Sequence, residues 1–264
     1  MPAIAVFAHA NGYPPASYRA LLALLSPELE VKAIEHRPLW CDESAPTFLS
    51  WQVYADDLIE RIEACAPGPI WVIGHSMGAA SAVLAAAKRP DLFLGIVGLD
   101  PVLIPSSTWF WALLFNRLKP NGMPIIAKAL SRPHCFEGHE TAFAFYRTKR
   151  VFADVRDEVL MDYVLAAHEP VADGGVHLRH SGAWEACIYR SVPRMDSALR
   201  RLTCPMLILA GDTSNVLSAE RLRWVTGLNA VITSKVMQGG HLLPLERPEE
   251  CADEILRCIV REAC

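Results

Sequence analysis

The sequence predicts an α/β fold with a mostly parallel sheet of about six strands and flanking helices. Short apolar runs alternate along the chain with segments of helical periodicity, which is typical of βαβ units. The runs are rich in Val and Ile and contain few polar residues, as expected for parallel strands that helices cover on both faces. Between residues 101 and 201 the alternation stops, and this predicts an insertion into the sheet.

Each predicted strand is a short apolar run, such as Ala-Ile-Ala-Val-Phe-Ala at the start of the chain and Ile-Trp-Val-Ile in front of residue 74. The strands are predicted at 3–8, 31–35, 70–74, 95–99, 206–210 and 231–236. The helices of the core are predicted at 18–25, 48–64, 77–88, 218–225 and 249–261. The third helix ends at Lys88 because Pro90 follows it closely.

The insertion contains helical patterns around 140–152 and 155–168, separated from the next pattern by turn-rich sequence. An insertion of this length is expected to form a helical cap over the ends of the strands. The predicted organisation is therefore a core made of residues 1–102 and 201–264, with a cap made of residues 103–200.

Composition limits the classes of function. The hydrophobic share is 52% and the charged share 20%, as in a globular protein, and a net charge of −4 does not favour nucleic acid as a partner. No apolar stretch reaches the roughly 18 residues of a membrane span. The eight cysteines lack C-x-x-C spacing, and no secretion signal precedes the first strand, so a cytoplasmic protein with reduced thiols is expected.

Residues 74–78 read Gly-His-Ser-Met-Gly and lie between a predicted strand and an alanine-rich helix. In such a tight turn the two glycines allow close backbone contact, and Ser76 lies at the apex. The helix N-terminus beside Ser76 favours developing negative charge. This arrangement suits a nucleophile in acyl transfer, although the pentapeptide alone also fits an ordinary Gly-rich turn.

Three further motifs follow predicted strands. They therefore lie at the carboxyl edge of the predicted parallel sheet, where the binding and catalytic sites of such sheets are found. They are residues 9–14 (His-Ala-Asn-Gly-Tyr-Pro), Asp100-Pro101, and residues 239–241 (Gly-Gly-His). Together with residues 74–78 they make the chain resemble the α/β-hydrolase family, in its esterase-like serine hydrolase branch with a helical cap. The usual N-terminal antiparallel strand pair of that family has no room before residue 3, so a sheet of six parallel strands is expected.

The resemblance implies a role for several residues. Ser76 matches the nucleophile, and His241 matches the histidine that takes the serine proton and returns it to the leaving group. The backbone N–H groups of Met77 and Asn11 match the pair that forms the oxyanion hole. The early loop usually reads His-Gly-x in this family but here reads His-Ala-Asn, so Asn11 could also act through its side chain or form only the turn.

The catalytic acid has two candidates. After the penultimate strand, where the family often carries it, Ser214 and Asn215 occupy the expected positions, and neither is a carboxylate. Some branches carry the acid one strand after the nucleophile, and Asp100 stands there. Asp100 is the predicted acid and Asp212 the alternative; a Ser–His dyad without an acid is also open.

A serine rather than an aspartate at the turn favours attack on a carbonyl carbon and an acyl-enzyme. The predicted function is hydrolysis of a carboxylic ester of a small to medium hydrophobic substrate. Trp109 and Phe110 are the candidate substrate pocket, although they could equally pack the cap onto the core.

Other reactions and one other class of protein also fit these residues. Thioesters, lactones and carbon–carbon bonds can be cleaved by the same groups, and the rival from another class is a non-catalytic protein that binds an apolar ligand. No metal and no cofactor are expected, because the histidines of the insertion lack a coherent ligand array. The oligomeric state stays open between a monomer and a homodimer.

Overall fold

The computed structural model describes residues 3–119, 121–172 and 174–262. The strands are β1 (Ala3–Ala8), β2 (Leu29–Ile34), β3 (Ile70–His75), β4 (Phe93–Leu99), β5 (Cys135–Phe136), β6 (His168–Pro170), β7 (Val176–Leu178), β8 (Met206–Gly211) and β9 (Ile232–Met237). The helices are α1 (Arg19–Leu25), α2 (Gln52–Cys65), α3 (Met77–Lys88), α4 (Ser106–Leu118), α5 (Pro124–Leu130), α6 (His139–Arg147), α7 (Asp157–Ala167), α8 (Gly182–Arg190), α9 (Asp196–Arg200), α10 (Ala219–Thr226), α11 (Leu243–Glu246) and α12 (Pro248–Glu262). Short 3₁₀ turns occupy Pro15–Tyr18, Arg37–Leu39, Pro90–Leu92 and Arg150–Phe152.

Six strands form a parallel sheet in the order β2-β1-β3-β4-β8-β9. The predicted fold class is confirmed, and the observed strands lie within about two residues of the predicted ones. The largest shift in the core concerns α2, which begins at Gln52 rather than at residue 48. The Leu49 amide donates instead to the Ser191 hydroxyl, so this stretch packs against the inserted segment before the helix starts.

The core lies on both faces of the sheet, because successive side chains of a strand point in opposite directions. Val6 of β1 packs on one face in a cluster that contains α2 and α3 side chains such as Leu58 and Val83. Phe7, the next residue, packs on the other face with α1 and α12, where Leu21 and Ile255 are fully buried. Parallel strands buried in this way read as continuous apolar runs, which is why the sequence revealed them.

The inserted segment, residues 103–200, contains α4 to α9 and a small antiparallel sheet in the order β5-β7-β6. The sequence pattern did not indicate this sheet, because strands of two or three residues are too short to show an alternating period. Tyr146, Phe152 and Tyr163 of the segment belong to the same buried cluster as Phe7. The division into core and cap stays a prediction.

The helices of the described ranges carry no stretch both long enough and apolar enough to cross a membrane.

Candidate active site

Ser76 lies between β3 and α3 in a backbone conformation that few residues adopt, with φ 53° and ψ −111°. The turn is this tight because both of its glycines face neighbouring backbone. A Cβ on Gly74 would overlap the backbone of Ala79, and a Cβ on Gly78 would overlap the carbonyl group of Ala8. The Ser76 side chain is therefore held at the carboxyl edge of the sheet, where only 5% of the residue is exposed.

Asp100 follows β4, the neighbour of β3, and also has a positive φ of 41°. Its amide donates to the carbonyl oxygen of Leu209 at 2.8 Å, which fixes the residue to β8. The carboxylate is fully buried and accepts hydrogen bonds from the Gly211 amide at 3.2 Å and from the Ser214 hydroxyl at 2.6 Å. These donors stabilise the carboxylate charge in a place where water cannot.

His241 comes after β9, in the loop that precedes α11, and its imidazole joins the other two side chains. The Nδ1–H group of His241 donates to Asp100 Oδ2 at 2.6 Å. The Ser76 hydroxyl donates to His241 Nε2 at 3.0 Å. Three residues that are far apart in the sequence thus form a continuous hydrogen-bonded chain of serine, histidine and carboxylate.

Asp212, the alternative acid, directly follows β8 and makes other contacts than Asp100 does. Its carboxylate accepts a hydrogen bond from the Gly239 amide at 3.0 Å, and the Thr213 amide and hydroxyl donate to the Gly239 carbonyl at 3.0 and 2.8 Å. Gly239 has a φ of 145°, which is unfavourable for other residues. Asp212 therefore holds the loop in front of His241, whereas the carboxylate that contacts the imidazole belongs to Asp100.

Ser214 is a site residue that sequence reasoning did not identify as one. It occupies a position where the family often carries the acid, and its hydroxyl donates to the oxygen of Asp100 that also accepts from His241. The same hydroxyl accepts from the amides of Val216 and Leu217. The neutral residue at that position thus supports the carboxylate instead of replacing it.

The amides of Met77 and Asn11 are the expected oxyanion pair. Met77 begins α3, and Asn11 lies in the turn after β1, closed by a hydrogen bond from the Tyr13 amide to the Ala10 carbonyl. Neither N–H group has a protein acceptor among the residues that the structure describes. Unpaired N–H donors are what a developing oxyanion would need, and the assignment of this pair stays a prediction.

A hydrogen-bonded chain connects this turn to the His241 loop. The Ala10 amide donates to the Tyr18 hydroxyl at 3.1 Å, and the hydroxyl donates to His75 Nδ1 at 2.7 Å. The Nε2–H group of His75 then donates to the carbonyl oxygen of His241 at 2.9 Å. Burial, followed by the nearby His241, lowers the pKa of His75 well below its usual value, so His75 is neutral and can accept from Tyr18.

The two residues of the candidate substrate pocket differ in their surroundings. Trp109 lines a cavity of about 280 Å³, donates from Nε1 to the Val192 carbonyl and stacks under the Arg194 guanidinium. Phe110 is 56% exposed and contacts the ring of Trp111 edge-on. The substrate pocket itself stays a prediction.

The parallel sheet and the polar site at its carboxyl edge define an α/β protein of the hydrolase type. A sequence profile of the alpha/beta hydrolase family matches residues 5–254, and the chain belongs to this family. The family and the relatives described next support hydrolysis as the class of reaction.

Curated relatives are distant in sequence. The 2-(acetamidomethylene)succinate hydrolase of Mesorhizobium japonicum is 26% identical over 236 residues, which cover 89% of this chain and 79% of that protein. The monoglyceride lipase of Homo sapiens is 27% identical over 214 residues, which cover 75% of this chain and 61% of the lipase. The crystal structure of an E-2-(acetamidomethylene)succinate hydrolase superposes with a TM-score of 0.82 at 25% identity, covering 98% of this chain and 91% of that one.

Proposed function

We propose that the protein is a serine hydrolase that cleaves a carboxylic ester, or a related acyl compound, through an acyl-enzyme on Ser76. The observation that carries the proposal is the hydrogen-bonded chain from Ser76 through His241 to Asp100. Its distances lie within the range of a nucleophile, a general base and a group that orients the base. Monoglyceride lipases are among the relatives, and monoglycerides are carboxylic esters.

The chemistry follows from the position of each group. His241 Nε2 takes the proton of the Ser76 hydroxyl while Oγ bonds to the carbonyl carbon, and Asp100 stabilises the resulting imidazolium. The carbonyl oxygen becomes an oxyanion that the amides of Met77 and Asn11 can bind. The imidazolium returns the proton to the leaving alcohol as the bond between the carbonyl carbon and the ester oxygen breaks. Water activated by His241 then releases the acid in the same way.

A fluorophosphonate probe tests the nucleophile, because it reacts covalently with an activated serine. We expect the unaltered protein to be labelled and Ser76→Ala to remain unlabelled at equal concentration. Thermal unfolding of both proteins serves as the folding control. An unlabelled but folded parent protein would favour the rival hypothesis of a non-catalytic binding protein.

The acid is tested by a matched pair of substitutions, Asp100→Asn and Asp212→Asn. Asp100→Asn should lower kcat for a p-nitrophenyl ester by about 10⁴-fold, because an amide does not stabilise the imidazolium. Asp212→Asn should lower kcat by less than about tenfold, since the oxygen of an asparagine side chain can still accept from the Gly239 amide and the imidazole contacts Asp100 instead. The opposite order would make Asp212 the acid.

A further inference from the structure

The cavity that Trp109 lines, which we call the Trp109 cavity, is open to solvent. Its walls come from the stretch before α2, from α4 and from residues 189–194 at the end of α8. Phe48, one of the lining residues, is 60% exposed, and Arg194 is exposed as well. The volume of about 280 Å³ is close to the lower limit of small-molecule sites. A ligand can therefore reach these walls from solution.

The walls of the Trp109 cavity are mostly apolar. Seven of its twelve lining residues have apolar or aromatic side chains, among them Phe48, Ile104, Trp109 and Met123. Burial of an apolar body against such walls is favourable, because it removes apolar surface from water. The body of a ligand for this cavity is therefore expected to be apolar or aromatic.

Most polar groups along the walls already have partners in the protein. The indole N–H groups of both lining tryptophans donate to backbone carbonyls, and so does the Ser191 hydroxyl. Ser50 Oγ accepts from a backbone amide. The Tyr189 hydroxyl donates to Glu185 Oε1, which also accepts from Arg132 Nη2 at 2.8 Å. These groups are engaged in holding the walls together.

Two arginines on the walls have unpaired N–H groups. The Nε–H and Nη2–H groups of Arg190 donate to Asn121 Oδ1, which leaves Nη1 without a partner among the described residues. The Arg194 guanidinium lies over the Trp109 ring, 5.0 Å from its centroid, and in the same described ranges it has no hydrogen bond or ion pair. The unpaired donors of the cavity thus carry positive charge.

The charge of the two guanidiniums is not compensated within the part of the chain that the structure describes. Neither arginine forms an ion pair there, and the lining residues include no Asp or Glu. Asp196, two residues after Arg194, accepts instead from the Ser106 amide at 3.1 Å and from its hydroxyl at 2.6 Å. Two cations on one cavity repel each other, and a bound anion lowers that energy.

The unpaired donors match one class of ligand group. The planar guanidinium of Arg194 presents parallel N–H groups that fit the two oxygens of a carboxylate. We propose that the Trp109 cavity binds a carboxylate with an apolar or aromatic body, and that the carboxylate pairs with Arg194 and with Nη1 of Arg190. Ser76, Asp100 and His241 are not among the lining residues, so the inference does not depend on the proposed ester hydrolysis. It adds a negative charge to the apolar ligand that Trp109 suggested.

The first test measures binding to the unaltered protein by titration calorimetry. The probes are 4-phenylbutanoate, its carboxamide, acetate and 3-phenylpropyl phosphate, none of which contains a carboxylic ester. We expect 4-phenylbutanoate to bind one saturable site with a Kd of about 1 mM or lower. The carboxamide should bind at least about tenfold more weakly because it lacks the charge, and acetate because it lacks the apolar body.

Three results of this series would overturn the proposal. They are equal affinity of 4-phenylbutanoate and its carboxamide, equal affinity of 4-phenylbutanoate and acetate, and no saturable binding of 4-phenylbutanoate up to about 10 mM. Tighter binding of the phosphate than of the carboxylate would show that the anion belongs to a different class.

The second test compares Arg194→Gln with Arg201→Gln and so locates the carboxylate. Arg201 is also exposed, has no ion pair among the described residues and does not line the cavity. Arg194→Gln should raise the Kd of 4-phenylbutanoate by about tenfold or more, whereas Arg201→Gln should change it by less than about twofold. Arg194→Lys should restore part of the loss, because it keeps the charge without the planar fork. Equal effects of the two glutamine substitutions would reduce the result to net charge and overturn the site.

The third test locates the apolar body with Phe48→Ala and Leu94→Ala. Both side chains are exposed, by 60% and 47%, but only Phe48 lines the cavity. Phe48→Ala should raise the Kd of 4-phenylbutanoate by at least about threefold, and Leu94→Ala should leave it unchanged. Thermal unfolding of every variant checks the fold. An unchanged Kd in folded Phe48→Ala would place the body outside the cavity and overturn the proposal, whatever the arginine variants show.

Discussion

Tyr18 connects the turn after β1 to the loop that contains His241 through a single buried hydroxyl. That hydroxyl accepts from the Ala10 amide and donates to His75 Nδ1, while His75 donates to the carbonyl oxygen of His241. Two loops that come from opposite ends of the chain are therefore positioned by the same side chain. Because no motif pairs a tyrosine at residue 18 with a histidine beside the nucleophile, only the structure could reveal this connection.

Tyr18→Phe tests the connection. The substitution leaves the Ala10 amide and His75 Nδ1 without partners in a buried place, so the free energy of unfolding should fall by about 1–3 kcal/mol. Loosening of both loops should also lower kcat for an ester more than it changes KM. Urea unfolding and steady-state kinetics measure the two effects.

Tyr54→Phe is the matched control, because Tyr54 is equally buried and its hydroxyl has no hydrogen-bond partner among the described residues. Removal of an unpaired hydroxyl should leave stability unchanged or raise it slightly. Equal destabilisation by the two substitutions would show that the Tyr18 hydroxyl contributes nothing beyond packing.

The sequence predicted much of the proposed site because its residues follow strands. Ser76, Asp100 and His241 each come directly after an apolar run or close to its end, and parallel strands bring such ends to one edge. Arg132 gave no such signal, because it lies in an insertion where no strand period fixes the geometry. It contacts Glu185 because α5 packs on α8.

At the level of secondary-structure elements, the approach of α3 to β1 depends on Gly78. A Cβ at this position would overlap the Ala8 carbonyl, which belongs to backbone that cannot move without disrupting β1. The neighbouring Gly68 lies before β3, and a Cβ there would meet no atom within 4 Å. Comparing substitutions at these two positions therefore distinguishes the effect of a steric clash from the effect of replacing a glycine as such.

Gly78→Ala should destabilise the protein by about 3 kcal/mol or more and should abolish fluorophosphonate labelling of Ser76, because α3 must move away from the sheet. Gly68→Ala should change stability by less than about 0.5 kcal/mol and preserve labelling. Thermal unfolding and labelling of both variants provide the comparison. A stable, fully labelled Gly78→Ala protein would contradict the close packing.

On the scale of the whole molecule, several histidines are buried as neutral groups. Burial is the main cause that lowers the pKa of His36 and His168 to about 4 and of His180 to about 3. In the unfolded chain each returns to about 6.5. Below pH 6.5 the unfolded state therefore binds protons that the folded state does not, and the free energy of unfolding decreases as the pH falls.

Burial also lowers the pKa of His9 and His75 well below 6.5. Each of these five histidines should contribute about 1.4 kcal/mol per pH unit between its two pKa values, so together they give at most about 7 kcal/mol per unit between about pH 6 and pH 4. Burial raises the pKa of Glu185 and Glu246, which offsets part of this loss because the folded state then binds protons too. Urea midpoints measured at pH 7, 6 and 5 should therefore fall steeply below about pH 6. His180→Phe removes one of the five groups and should reduce the slope by about a fifth. A midpoint that stays constant from pH 7 to pH 5 would mean that these rings can be protonated without unfolding, and an unchanged slope in His180→Phe would mean that His180 is not buried as a neutral ring.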